Sequence, residues 1–199
     1  MTWSSAKAAP TPTLSCEQAA TIVERSLDIP AGLLAAIARV ESNNHPLAVN
    51  VNGVAVPFSR QELAVDAVQT MLKSGAFGPR PHVDVGCFQV NLGWHSTAFA
   101  SVEDSFDPLS NGLAAGFFLR QLHGAKGNWR DAVARYHAAS REGDRYATHV
   151  FHKLEGGSGS EPAGVVRAES VSPAAGNGRD WVKTASGYGI TVFEPVAKP

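Results

Sequence analysis

Residues 37–46, Ile-Ala-Arg-Val-Glu-Ser-Asn-Asn-His-Pro, carry the reading on which the rest of the chain depends. Upstream of them, apolar side chains fall at Leu33, Leu34, Ile37 and Val40. Leu34, Ile37, Ala38 and Glu41 then share one face of a helix, by the offsets of zero, three, four and seven that define a helical stripe. Glu41 therefore stands where an apolar side chain is expected. Burial disfavours the charged form of a carboxyl group and raises its pKa towards the range useful to a general acid. The competing reading is a helix end with Glu41 turned into solvent, which is the ordinary fate of a glutamate.

Working outward, Ser15 with Gln18 fits a capping box, and Ala19, Ile22, Val23 and Leu27 give a first helix its apolar stripe. Asp28 and Pro30 are expected to open the second helix, which runs through Glu41 and stops near 42–44, ahead of Pro46. Val49–Val51 and Val54–Val56 alternate around Asn52-Gly53, a strong hairpin signal, and predict a two-stranded ribbon. Ser59 and Glu62 suggest a second capping box, with Leu63, Ala67, Val68, Met71 and Leu72 forming a helix ended by Ser74-Gly75. After a loop at Gly78, Pro79 and Pro81, residues 82–95 read as a short extended or irregular segment carrying Asp84 in an exposed loop, then Gln89, Asn91 and Trp94. Three more helices are predicted: Asp107 to Gly124, one from Asn128 with Trp129, Val133 and Tyr136 inward, and one over 143–154.

Residues 1–14 read as disordered, and a Gly, Ser, Pro and Ala-rich linker follows from residue 155. Trp181, Tyr188, Ile190, Val192 and Phe193 restore hydrophobicity at the end, which suggests a docking segment or an added strand over 180–194. The composition is that of a globular domain, 44% hydrophobic and 18% charged. Seventeen Lys and Arg nearly balance eighteen Asp and Glu, so nothing marks a nucleic-acid surface. No apolar run is long enough to span a bilayer, and the opening residues lack the apolar middle of a signal peptide. Two cysteines, Cys16 and Cys87, leave either two buried thiols or one bridge and exclude a four-cysteine zinc site. The histidines, His82 and His95 near Asp84 among them, match no helical metal-site spacing, so no metal or cofactor is expected.

Three pieces in order resemble the family 1 lytic transglycosylases, the lysozyme-like SLT domain enzymes. Glu41-Ser42 with Pro46 is similar to the Glu-Ser helix end of that family. Residues 86–91, Gly-Cys-Phe-Gln-Val-Asn, are similar to its Gly-Leu-Met-Gln-Ile-Asn segment. Ala132, Ala134 and Tyr136 are similar to its Ala-x-Ala-x-Tyr-Asn segment, with His137 in place of the Asn. The details look closest to a subgroup associated with flagellar and secretion machinery. The resemblance covers about residues 15–154 and implies a mainly α-helical α+β domain of goose-type, SLT-like architecture with a small β-hairpin.

It also implies chemistry. Glu41 alone would protonate the oxygen between MurNAc and GlcNAc and then deprotonate the MurNAc C6 hydroxyl, which closes on C1 to give 1,6-anhydroMurNAc. Tyr136 would orient Glu41; Ser42, Gln89, Val90 and Asn91 would build sugar subsites; Gly86 and a Cys16–Cys87 disulfide would be structural. The implied setting is a periplasmic monomer acting on peptidoglycan strands, with the C-terminal tail recruiting a flagellar rod or secretion component. Two alternatives stay open: a hydrolytic muramidase that uses Asp84 with water, since most glycosidases employ two carboxylates, and a non-catalytic wall-binding assembly module.

Overall fold

Ser15 opens α1 (Cys16–Ser26) with the capping box expected of it: its hydroxyl accepts from Gln18 N, and Gln18 Oε1 accepts from Ser15 N. The computed structural model describes residues 14–95, 97–156, 181–185 and 192–195. Residues 1–13 of the stretch read as disordered, and most of the linker, therefore lie outside the described residues.

The second helix, α2 (Leu33–Ser42), begins later than Asp28 and Pro30 suggest. Pro30 instead closes a turn, its carbonyl accepting from Leu33 N. The free N–H groups at the start of α2 are met from α1: Glu24, only 4% exposed, accepts from Gly32 N at 2.8 Å and from Ala35 N at 3.0 Å. A carboxylate at a helix N-terminus also faces the positive end of the helix dipole, which explains why this acid is tolerated in a core. At the other end, Asn43 and Asn44 both turn left-handed, and their N–H groups return to Arg39 O and Ala38 O. Leu33, Leu34, Ala36, Ile37 and Ala38 are buried along α2.

The hairpin of β1 (Val49–Val51) and β2 (Val54–Val56) turns at Asn52-Gly53, both at positive φ. It is part of something larger than a two-stranded ribbon. After α3 (Gln61–Ser74), the segment expected to be extended or irregular supplies β3 (Val83–Val85) and β4 (Val90–Asn91), and all four strands form an antiparallel sheet in the order β2-β1-β3-β4. Alternation puts Val49, Val51, Val83 and Val85 into a second core with Ala64 and Val68 of α3. The register sets Asn50 opposite Asp84, and Asp84 opposite Asn91, as a polar row on the other face. The predicted Ser59 capping box is absent: Arg60 is the N-cap of α3 and makes no side-chain bond there.

A short 3-10 turn (Asp104–Phe106) leads to α4 (Pro108–Lys126), capped by Asp107, whose carboxylate accepts from Ser110 N. α4 runs past Gly124 and ends at Gly127, whose N–H reaches His123 O. Then come α5 (Trp129–His137), capped by Asn128, and α6 (Arg141–Leu154), capped by Ser140 and so two residues earlier than position 143. α2 packs on α1 and α6, and α5 on α4 and α6, around a core that includes Leu34, Ile37, Phe88, Leu119, Val133 and Val150.

The turn between β3 and β4 is built around one buried amide. Asn111 on α4 is fully buried, accepts from Phe88 N, and donates to Val85 O and Ser105 O. Gly86 sits at φ +79°, and a Cβ there would come within 2.6 Å of the Asn111 side chain. The turn is thus closed from both sides. Cys87, next in line, is bonded to Cys16 with a Cα–Cα separation of 5.5 Å, tying α1 to this turn.

The chain divides into two compact units, residues 1–163 and 164–199. In the second, within the stretch expected to dock or to add a strand, β5 (Trp181–Ala185) and β6 (Val192–Pro195) pair with each other, antiparallel with Thr184 opposite Phe193. Tyr188 and Ile190 lie outside the described residues.

The bridge between Cys16 and Cys87 closes a loop of 71 residues. Chain-entropy reasoning assigns such a closure about 4 kcal/mol. Denaturant unfolding of a Cys16→Ser, Cys87→Ser double variant is expected to show a loss of that order, and Ellman titration of the denatured, unreduced native chain is expected to find no free thiol.

Candidate active site

Glu41 is the last residue but one of α2, on the stripe that buries Leu34, Ile37 and Ala38. The residue is half-buried, but its carboxyl end lies inside the protein, and its pKa is raised from 4.5 to about 7. Desolvation is the largest cause; the nearby Asp84 charge adds to it, and a hydrogen bond from Tyr146 opposes it. Tyr146 Oη donates to Glu41 Oε1 at 2.6 Å. This phenol comes from α6, 105 positions further along the chain, and is itself buried. Its own pKa is pushed well above 10, by desolvation first and by Glu41 next, so it stays a donor.

Tyr136 does not make the contact expected of it. Its hydroxyl donates to Phe88 O at 2.7 Å, not to Glu41. It lies close enough for the Glu41 charge to raise its pKa, after desolvation. The residue whose hydroxyl holds Glu41 is Tyr146, on the last helix. His137, where the resemblance expects Asn, stacks flat on the Tyr146 ring, with centroids 4.6 Å apart and planes 8° apart. Its Nε2 is 3.8 Å from Glu142 Oε1.

Ser42 stitches α2 to the β3–β4 turn. Its hydroxyl contacts Cys87 O at 2.8 Å and Ala38 O at 3.1 Å, and it accepts from His45 N. Gln89 is held at φ +49°, a conformation that costs a non-glycine residue about 1 kcal/mol or more. Its amide donates to Gly86 O and to Ala48 O, which ties the turn to the residue just ahead of β1. Val90 is buried in the core. Ser42, Gln89 and Val90 thus hold the turn in place, whatever they also offer a sugar.

Asn91 and Asp84 act as a pair. Asn91 Nδ2 donates to Asp84 Oδ1 at 2.7 Å, and Asn91 Oδ1 accepts from Trp94 N. Asp84 is on a strand and half-buried, not in an exposed loop. Desolvation raises its pKa, while the Asn91 bond and the His82 and His137 charges pull it down. Two carboxyl groups from different elements, α2 and β3, therefore feel each other in a poorly solvated place. Such a pair can hold one proton more readily than none. Among the described residues no group of three or more His, Cys, Asp or Glu is arranged to hold a metal ion.

A helical domain with a small antiparallel sheet, presenting a helix-terminal glutamate beside the sheet's polar row, is a lysozyme-like α+β domain. Residues 19–154 match the family model described as the transglycosylase SLT domain, which spans more than half of the chain. The protein belongs to that family, whose members act on the peptidoglycan of the cell wall. Comparison with curated proteins gives no match, and comparison with solved structures gives none. Among the described residues no helix is long and apolar enough to cross a membrane.

The raised pKa has a stability consequence of definite sign. A carboxyl whose folded pKa exceeds its unfolded value binds its proton more tightly when folded, so the contribution of Glu41 to stability is fully present below about pH 4.5 and is lost as the pH rises to about 7. Glu41→Gln cannot ionise and is expected to be more stable than the native chain at pH 8, by about 3 kcal/mol, with the gain vanishing near pH 4. Chemical denaturation at the two pH values measures it. Tyr146→Phe removes a bond that favours the carboxylate, so the Glu41 carboxyl should titrate at still higher pH when followed by carbon NMR. A downward move would show that the phenol does not donate to Glu41.

Proposed function

We propose that this domain is a lytic transglycosylase that cleaves the β-1,4 bond between MurNAc and GlcNAc and leaves a 1,6-anhydroMurNAc end. The observation that carries the reading is the Glu41 carboxyl, pKa about 7, gripped at 2.6 Å by the buried Tyr146 hydroxyl in a domain of the SLT family. A group with that pKa is protonated in a useful fraction of molecules near neutrality and is still a competent base once it has given its proton away. Glu41 protonates the glycosidic oxygen as the C1–O bond breaks. The resulting carboxylate takes the proton of the MurNAc C6 hydroxyl, and O6 bonds to C1. The proton count closes on one carboxyl, and no water is consumed. Tyr146 steadies the carboxylate between the two steps, because its hydrogen bond strengthens when Glu41 is charged.

In this reading the enzyme works in the periplasm, opening the wall locally for a flagellum or a secretion apparatus. The Cys16–Cys87 bridge supports an oxidising compartment. The Gly-Cys-Phe-Gln-Val-Asn segment supports the flagellar or secretion subgroup, and a partner met through the C-terminal tail is part of the same proposal.

A hydrolytic muramidase is the second reading, and the observation that favours it is Asp84, half-buried beside Glu41 and oriented by Asn91. There Asp84 would act as the second carboxylate, with water as the final acceptor of C1. Mass spectrometry of digested peptidoglycan separates the two. The expected products are anhydro ends, 1,6-closed and one water lighter than reducing ends. Glu41→Gln is expected to abolish them, and Asp84→Asn to lower the rate by roughly tenfold or less, as a change in binding or electrostatics would. Reducing-end products that disappear in Asp84→Asn would establish the hydrolase instead.

A further inference from the structure

Trp94 is 45% exposed, an unusual position for one of the largest apolar surfaces a side chain can offer. It is linked directly to the site. Its backbone N–H donates to Asn91 Oδ1 at 3.1 Å, and Asn91 Nδ2 donates to Asp84 Oδ1 at 2.7 Å. Two hydrogen bonds therefore separate Trp94 from the carboxylate whose charge reaches Glu41. Arg80 lies over the indole, its Cζ 4.6 Å from the ring centroid. Gly93 lets these two segments meet: a Cβ on it would collide with Pro81 O and crowd the Arg80 carbonyl carbon at 3.1 Å. Among the described residues Arg80 forms no ion pair.

Even with a guanidinium over the ring, Trp94 keeps nearly half of its surface exposed. Exposed indole surface suits the C–H side of a pyranose ring, which is weakly polarised and complements the ring's negative face. A guanidinium lying over an aromatic ring keeps its N–H donors in its own plane, free to fork onto a carboxylate. Asp84, two hydrogen bonds from Trp94, and Glu41, which feels the Asp84 charge, would repel an anionic substituent of the glycan, and Arg80 supplies the opposite sign.

We propose that Trp94 and Arg80 form a subsite for the glycan strand away from the cleaved bond, Trp94 stacking on one sugar ring and Arg80 binding a carboxylate of that strand's peptide stem. The inference rests on the reading of this domain as a peptidoglycan-cleaving enzyme and adds a preference for strands that still carry their peptides.

The test uses the full chain carrying Glu41→Gln, so that ligand is bound but not cut. Titration calorimetry compares soluble peptidoglycan oligomers bearing stems with the same oligomers after an amidase has removed them. Trp94→Ala is expected to weaken both by roughly tenfold, and Trp94→Phe to recover most of that loss. Arg80→Gln is expected to weaken only the stem-bearing oligomer, by roughly fivefold, and less so at high salt. If the oligomers bind but Trp94→Ala changes neither affinity by more than about twofold, the subsite is wrong while the proposed function stands. Equal losses on both ligands for Arg80→Gln would overturn the stem contact. If neither oligomer binds the Glu41→Gln chain at all, the proposed function and the subsite fall together.

Discussion

Desolvation of the Glu41 carboxyl is the constraint on which the site depends. Water would otherwise give this group several hydrogen bonds, and in its place the described residues offer one, the Tyr146 hydroxyl at 2.6 Å. A single donor leaves the pKa near 7, where full solvation would leave it near 4.5. The acid on α2 is met by the phenol of α6 and the second carboxylate of β3, and a histidine of α5 stacks on that phenol. Packing of α2 against α6 is therefore a chemical requirement as well as a structural one.

The β3–β4 turn plays the complementary part. Its backbone carbonyls are the acceptors that other elements reach for: Ser42 goes to Cys87 O, Tyr136 to Phe88 O, and Asn111 takes Val85 O while accepting from Phe88 N. A turn that leaves its ladder so early has backbone groups to satisfy, and unpaired they would cost about 1–3 kcal/mol each. Side chains from α2, α4 and α5 meet that need, and in doing so they converge on one small segment beside Glu41. The motif residues of this turn are therefore first of all the reason it has a single shape.

Much of this was legible in the sequence where the signal is local. The Ser15 capping box, the Asn52-Gly53 hairpin and the Glu41 position on a buried stripe follow from spacing alone, and the structure has each of them. Tertiary partners were not legible. Nothing near Asp28 or Pro30 reveals that Glu24 caps α2, because the capping group comes from another helix. Tyr146 reads as one more apolar position in an amphipathic helix, since a phenol looks the same to periodicity whether or not its hydroxyl has a partner. Asp84 looked exposed because Gly and Pro surround it, yet alternation with Val83 and Val85 was the available sign of a strand. Asn111, an amide among the apolar residues of α4, lies in a buried stripe, and that position could have flagged it.

The two ends of α2 are fastened to different parts of the molecule. Glu24 holds its first turn, and Ser42 holds its last against the turn that the disulfide joins to α1. Ten residues of helix span about 15 Å, so α2 behaves as a short beam clamped at both supports. Both clamps lead back to α1, one through a carboxylate eight residues downstream of Cys16 and one through that cysteine's own bond. A sliding motion of α2 along its axis would have to break both. The position of the acid is thereby referred to a helix that contributes no group to the chemistry, much as an instrument's pointer is referred to its frame.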